Sequence, residues 1–196
     1  MAKQSGGKSG VLEFAVLGLL HDSPMHGYEL RKQLNSVLGS FRAISYGSLY
    51  PCLKRMLGQG MIREMGPADA GAPALSGRRS KIVYQLTADG KERFESLLAE
   101  TGPETWDDER FDVHFAFFSQ TDSDVRVRIL QGRRSRMEER LASLKGAASK
   151  GAEKVDGYTA ELARHGLDST EREVRWLTEL IEQEQLGGKK VGNKAG

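Results

Sequence analysis

Two short runs constrain this chain more than anything else in it. Met61, Ile62, Arg63, Glu64 and Met65 alternate like a strand, and Lys81, Ile82, Val83, Tyr84, Gln85 and Leu86 are rich in β-branched and aromatic residues. Between them lies GPADAGAPALSGRRS, residues 66–80, a Gly/Pro/Ala loop that ends in two arginines. The rest of the chain is mostly helical in pattern. Val11, Leu12, Ala15, Val16, Leu19 and Leu20 form one broad apolar face, which stops at the breaker His21-Asp22-Ser23-Pro24. A second helix is expected over residues 25–38, with Tyr28, Leu30, Leu34, Val37 and Leu38 at its apolar positions and Gly39 as its stop.

The third helix lies within GSLYPCLKRMLGQGMI, residues 47–62, where Leu49, Cys52, Leu53, Met56 and Leu57 recur on one face. A proline inside a helix costs about 3 kcal/mol unless it lies in the first turn. Capping at Ser48 would make Pro51 the third helical residue, where its missing N–H matters little; a start at Ser45 would put it in the second turn. Either way Gly47, Ser48, Pro51, Lys54 and Arg55 are expected to point outward. Small residues let the head of a helix approach another surface closely. Phosphates favour helix N-termini, and recognition helices enter the major groove N-terminus first. Thr87 caps a fourth helix that runs to about residue 100. Three helices, a strand, a basic loop, a strand and a helix are the layout of a winged helix-turn-helix, mainly α with a small β-hairpin, over residues 11–100.

The charge balance agrees. Residues 1–100 carry 13 Lys/Arg against 9 Asp/Glu, and residues 101–196 carry 16 against 18, so only the front half is basic enough to suggest a polyanionic partner. No stretch approaches the roughly 20 apolar residues of a membrane span, and MAKQSGGKSG lacks the apolar core of a signal peptide. The single cysteine, Cys52, excludes an internal disulfide and a thiolate zinc cluster. A cytoplasmic protein is expected. Residues 1–10 and 187–196, rich in Gly and Lys, are expected to be disordered tails.

Residues 104–186 read as a helical dimerisation and effector region. Phe111, Phe115 and Phe118 mark an apolar helix. Thr121 and Asp124 have the spacing of a capping box at the head of a long helix, in which Leu130, Met137, Leu141 and Leu144 form a seam. Val155, Tyr158, Leu162 and His165 share a face that ends at Gly166. Asp168 and Glu171 then cap a last helix with Val174, Leu177, Leu180 and Ile181 together. The seam and the last helix, with Trp176, are the expected contacts of a homodimer. Trp106, Phe115, Phe118, Tyr158 and Trp176 are candidates to line a small-molecule effector site. Six arginines between positions 126 and 140 leave room for an anionic effector.

Three signatures, LEFAVLGLLHDSPMHGYELRKQL (12–34), ISYGSLYPCLKRMLGQGMI (44–62) and GRRSKIVYQLTADGK (77–91), resemble the PadR-like transcriptional regulators. The resemblance implies a winged-helix domain that binds double-stranded operator DNA, a C-terminal dimerisation region, and repression relieved by a small molecule. By position it implies that Tyr28, with Lys32 one turn on, faces the DNA backbone from the second helix. It places Ser45, Tyr46, Gly47, Ser48, Tyr50, Pro51, Lys54 and Arg55 on the recognition helix, and Arg78, Arg79 and Lys81 at the wing. This wing is longer and richer in Ala and Gly than the family's usual short turn. The alternative is a winged helix used as a protein-interaction module without specific DNA binding; the small, basic recognition face argues against it.

Catalytic chemistry is not indicated. His21, His26, His114 and His165 are scattered without metal-ligand spacing. Cys52 lies on the inward face of its helix as a small core residue. Asp107, Asp108 and Glu109 sit at a helix start, where carboxylates favour the dipole. No enzyme activity, cofactor or metal is expected.

Overall fold

The computed structural model describes residues 8–38, 46–65, 82–151 and 156–192. It divides into two compact units, one of residues 1–100 with 108–120 and the other of residues 101–107 with 121–196.

The first unit begins with α1 (Lys8–Asp22). Every residue from 12 to 20 is buried, which corrects the expectation of a single apolar face. A helix apolar all round must be surrounded, and α2 (Gly27–Leu38), α3 (Tyr46–Gly58), α4 (Ala88–Leu98) and α5 (Asp108–Ala116) all pack on it. Phe14 stands at the centre, its ring 5.8 Å from Phe94, 5.7 Å from Phe117 and 4.8 Å from His114. Gly18 makes room for Phe117, since a Cβ there would stand 2.3 Å from that ring.

The sheet has three antiparallel strands in the order β1-β3-β2. β2 (Ile62–Met65) and β3 (Val83–Leu86) pair from Ile62↔Leu86 to Met65↔Val83. β1 is the pair Met25–His26, joined to β3 through Met25↔Tyr84 and His26↔Val83. It replaces what the sequence suggested was the first turn of α2.

α3 ends where Gly58-Gln59-Gly60 announced it. The Gly60 N–H donates to Leu57 O at 3.1 Å and the Met61 N–H to Met56 O at 3.0 Å, with Gly60 at φ +73°, the left-handed geometry that closes a helix C-terminus. Thr87 caps α4, its hydroxyl oxygen accepting from the Gly90 N–H at 3.1 Å. The same hydroxyl reaches the carbonyls of Gly60 and Met61 at 2.6 and 2.9 Å. Gly90 then passes so close that a Cβ would stand 2.0 Å from Met61 O.

The second unit is a helical hairpin of α6 (Ser123–Gly151) and α7 (Gly157–Gly192). Ile129, Leu130, Met137, Leu177 and Ile181 are its buried apolar residues, while Leu141 and Leu144 of the expected seam are only half-buried. Ion pairs run across the hairpin: Arg126 to Glu184 at 2.7 Å, Arg133 to Glu173 at 2.6 Å and Lys145 to Glu171 at 2.8 Å. A 3-10 turn at Pro103–Trp106 is held to α6 by Arg133, which donates to Trp106 O at 2.7 Å, and by Trp106 lying over Gly132. Where the sequence suggested a helix end at Gly166 and a new start at Asp168, α7 is continuous. Its neighbour compensates: Glu171, read as a cap, pairs with Lys145 of α6 instead. α1 already includes Lys8, and α7 continues to Gly192, so helix reaches into both stretches expected to be tails.

Candidate nucleic-acid interface

α3 is divided lengthwise. Leu49, Cys52, Leu53 and Met56 are at most 3% exposed and hold the helix to the core. Gly47, Ser48, Tyr50, Pro51 and Lys54 are exposed on the other side. The helix starts at Tyr46, so Pro51 lies in its second turn and cannot donate to the Gly47 carbonyl. That carbonyl belongs to an exposed residue, where a lost backbone bond is cheapest.

On α2, Tyr28 is 66% exposed and Lys32, one turn on, is also exposed. The two helices meet closely at this end: a Cβ on Gly27 would stand 3.4 Å from the Tyr50 hydroxyl. The exposed residues of α2 and α3 thus belong to neighbouring helix heads. Ser45 and the wing residues Arg78, Arg79 and Lys81 lie outside the described residues, as does the Tyr46 side chain.

Arg55 departs from expectation. Its guanidinium turns toward α1, 3.3 Å from a carboxylate oxygen of Glu13, and donates to Cys52 Sγ at 3.5 Å. Sequence spacing placed it on the outer flank and could not reveal an acid 42 positions earlier. Glu13 itself, the one charge between positions 12 and 20 of α1, is the available signal. Arg63 projects from β2 and donates through Nε and Nη2 to Gln85 Oε1 at 2.9 and 2.6 Å.

The aromatic candidates fall into separate units. Phe115 and Phe118, with ring centroids 5.1 Å apart, belong to the first; Trp106, Tyr158 and Trp176 belong to the second. Four of the six arginines on α6 already face carboxylates: Arg126 and Arg133 as above, Arg134 with Glu138, and Arg136 with Asp107. Their evident role is to brace the second unit, which leaves less charge for an anionic effector. Burial pushes the Cys52 thiol up to about 11, so it stays protonated and unreactive at neutral pH. His114 is fully buried, neither ring nitrogen has a hydrogen-bond partner among the described residues, and burial followed by Arg110 lowers its pKa to about 4. No group of His, Cys, Asp or Glu among the described residues could hold a metal, and no described helix is long and apolar enough to cross a membrane.

A helical core that presents the outer face of its third helix, followed by the antiparallel pair β2 and β3, has the winged helix-turn-helix fold. Residues 16–96 match the model of the transcriptional regulator PadR-like family, so that segment is similar to the PadR-like transcriptional regulators. The negative transcriptional regulator PadR of Bacillus subtilis is 24% identical over 182 residues, 87% of this chain and 96% of that protein. Among solved structures, Bacillus subtilis PadR in complex with operator DNA is similar at 24% identity and a TM-score of 0.41, covering 89% of this chain and 99% of that one. The same protein with p-coumaric acid gives 23% and 0.40, with the same coverage. A PadR-like regulator from Bacillus cereus gives 19% and 0.39, covering 90% and 99%.

Proposed function

We propose that this protein is a homodimeric, cytoplasmic repressor that places α3 of each protomer in the major groove of a two-fold operator. The observation that carries the reading is the division of α3, one side packed into the core and the other presenting Gly47, Ser48, Tyr50, Pro51 and Lys54 to solvent. Small residues admit the backbone to the groove floor and Lys54 supplies a phosphate contact. Tyr28 and Lys32 meet the DNA backbone from α2, and Arg78, Arg79 and Lys81 do so from the wing. Repression accords with the description of the Bacillus subtilis relative as a negative regulator. Release follows when a small molecule, bound among aromatic residues such as Trp106 and Trp176, favours the arrangement of the two recognition helices that does not fit DNA. Residues 11–100 bind DNA and residues 104–186 dimerise and take the effector.

The test is a mobility shift with the DNA upstream of the protein's own operon, for wild type and Lys54→Ala. Wild type is expected to bind that fragment in preference to an unrelated duplex. Lys54→Ala should flatten the slope of log affinity against log salt by about 0.9, the value of one phosphate contact. An unchanged slope would remove Lys54 from the interface, and no preference for the upstream fragment would refute operator binding there.

A further inference from the structure

α1 carries one charged residue between positions 12 and 20, Glu13, and buries it to 8% exposure. A carboxylate so far out of water needs a cation close by. It has two, from different helices: Arg55 of α3 at 3.3 Å and Arg93 of α4 at 3.7 Å. Arg55 also donates to Cys52 Sγ, one turn back on its own helix, so its half-exposed side chain is turned along the flank of α3 that faces α1. Ser48, exposed at the head of the helix, is seven positions before Arg55 and therefore shares its flank. An extended Arg55 would reach the surface on which Ser48 stands.

We propose that Glu13 is a positioning residue for the recognition helix, one that holds Arg55 away from the DNA-facing surface. Its carboxylate keeps a cation of α3 out of reach of phosphate, so the helix meets DNA with Lys54 and without Arg55. Phosphate attraction is blind to sequence. Withdrawing one arginine therefore lowers affinity for every duplex alike and leaves more of the discrimination to the small residues at the helix head. Arg93 stays beside Glu13 as the second cation, which makes the arrangement a three-helix tie among α1, α3 and α4.

This inference rests on the DNA-binding reading, and salt dependence separates the two. Fluorescence anisotropy with one short labelled duplex, over a series of salt concentrations, would compare wild type, Arg55→Gln, Glu13→Gln and the double variant. Arg55→Gln alone should keep the wild-type slope. Glu13→Gln should steepen it by about 0.9 as the released Arg55 finds a phosphate, and the double variant should return it to the wild-type value. A purely structural Glu13 would weaken binding without steepening the slope. A flatter slope in Arg55→Gln, or an unaltered one in a folded Glu13→Gln, overturns the proposal. Should Glu13→Gln fail to fold by circular dichroism, Arg55→Gln alone decides, an unchanged slope supporting the proposal and a flatter one ending it. Wild type that does not bind the duplex even at low salt would instead defeat the DNA-binding reading, and this proposal with it.

Discussion

The imidazole of His114 meets Phe14 edge-on and has no exposed surface, so a proton there would place a cation among aromatic rings. Its pKa is lowered from 6.5 to about 4. Above the ordinary value both folded and unfolded chains are neutral at this residue, and it adds no pH dependence. Between the two values the unfolded chain takes up a proton that the folded one refuses, so stability falls as pH falls. The loss is about 1.4 kcal/mol per pH unit and about 3 kcal/mol over the window. Urea denaturation of His114→Phe is expected to vary less between pH 7 and pH 5 than that of wild type; an equal dependence would place the acid sensitivity elsewhere. Gly90 offers a second test. Alanine inside a helix normally adds up to about 1 kcal/mol over glycine, but here its Cβ would stand 2.0 Å from the Met61 carbonyl oxygen, which belongs to backbone and cannot swing aside. Gly90→Ala should therefore destabilise by about 1–3 kcal/mol, read from the same denaturation curves.

Gly166 shows the opposite case, and it bears on a whole element. It lies inside α7 with nothing within 4 Å of an added Cβ, and its carbonyl accepts from the Thr170 hydroxyl at 2.8 Å. Gly166→Ala should raise stability by up to about 1 kcal/mol in urea denaturation; a loss would show that the helix ends there after all. The sequence favoured an end because glycine followed by Asp168 looks like a stop and a cap. What overrode it is partnership with α6, which local punctuation does not record. The same distinction sorts the other elements. α3, β2, β3 and α4 were legible because their punctuation coincides with their packing, as at Gly60 and Thr87. β1 was not, since two residues carry no period and their partners, Tyr84 and Val83, come almost sixty positions later. The inner and outer sides of α3 were legible from helical spacing. Arg55 was not, because its direction depends on an acid in another helix.

At the scale of the whole molecule, the hairpin of α6 and α7 is too slender to cover its own apolar residues. Tyr158 is 92% exposed, Leu162 71% and Trp176 40%, and their spacing of 4 and 14 sets them along one side of α7. A second copy is the proposed cover. Leu162→Glu combined with Trp176→Glu is expected to halve the mass seen by light scattering at micromolar concentration, and an unchanged dimer mass would exclude this side of α7 from the interface. The first unit carries a different consequence. It is interrupted in sequence: α5 packs against α1 although residues 101–107 belong to the other unit. Val113 and Phe117, both within 4% of complete burial, come from beyond that interruption. During translation the winged helix cannot close over α1 until the chain has emerged past residue 120, and domains made from the N-terminus wait in just this way for their last contact. The Gly102-Pro103 pair looks like a natural place to cut, yet a fragment ending there would leave the Phe14 side of α1 bare and prone to aggregate. Gene fusions that transplant the first unit onto another partner would have to take α5 along.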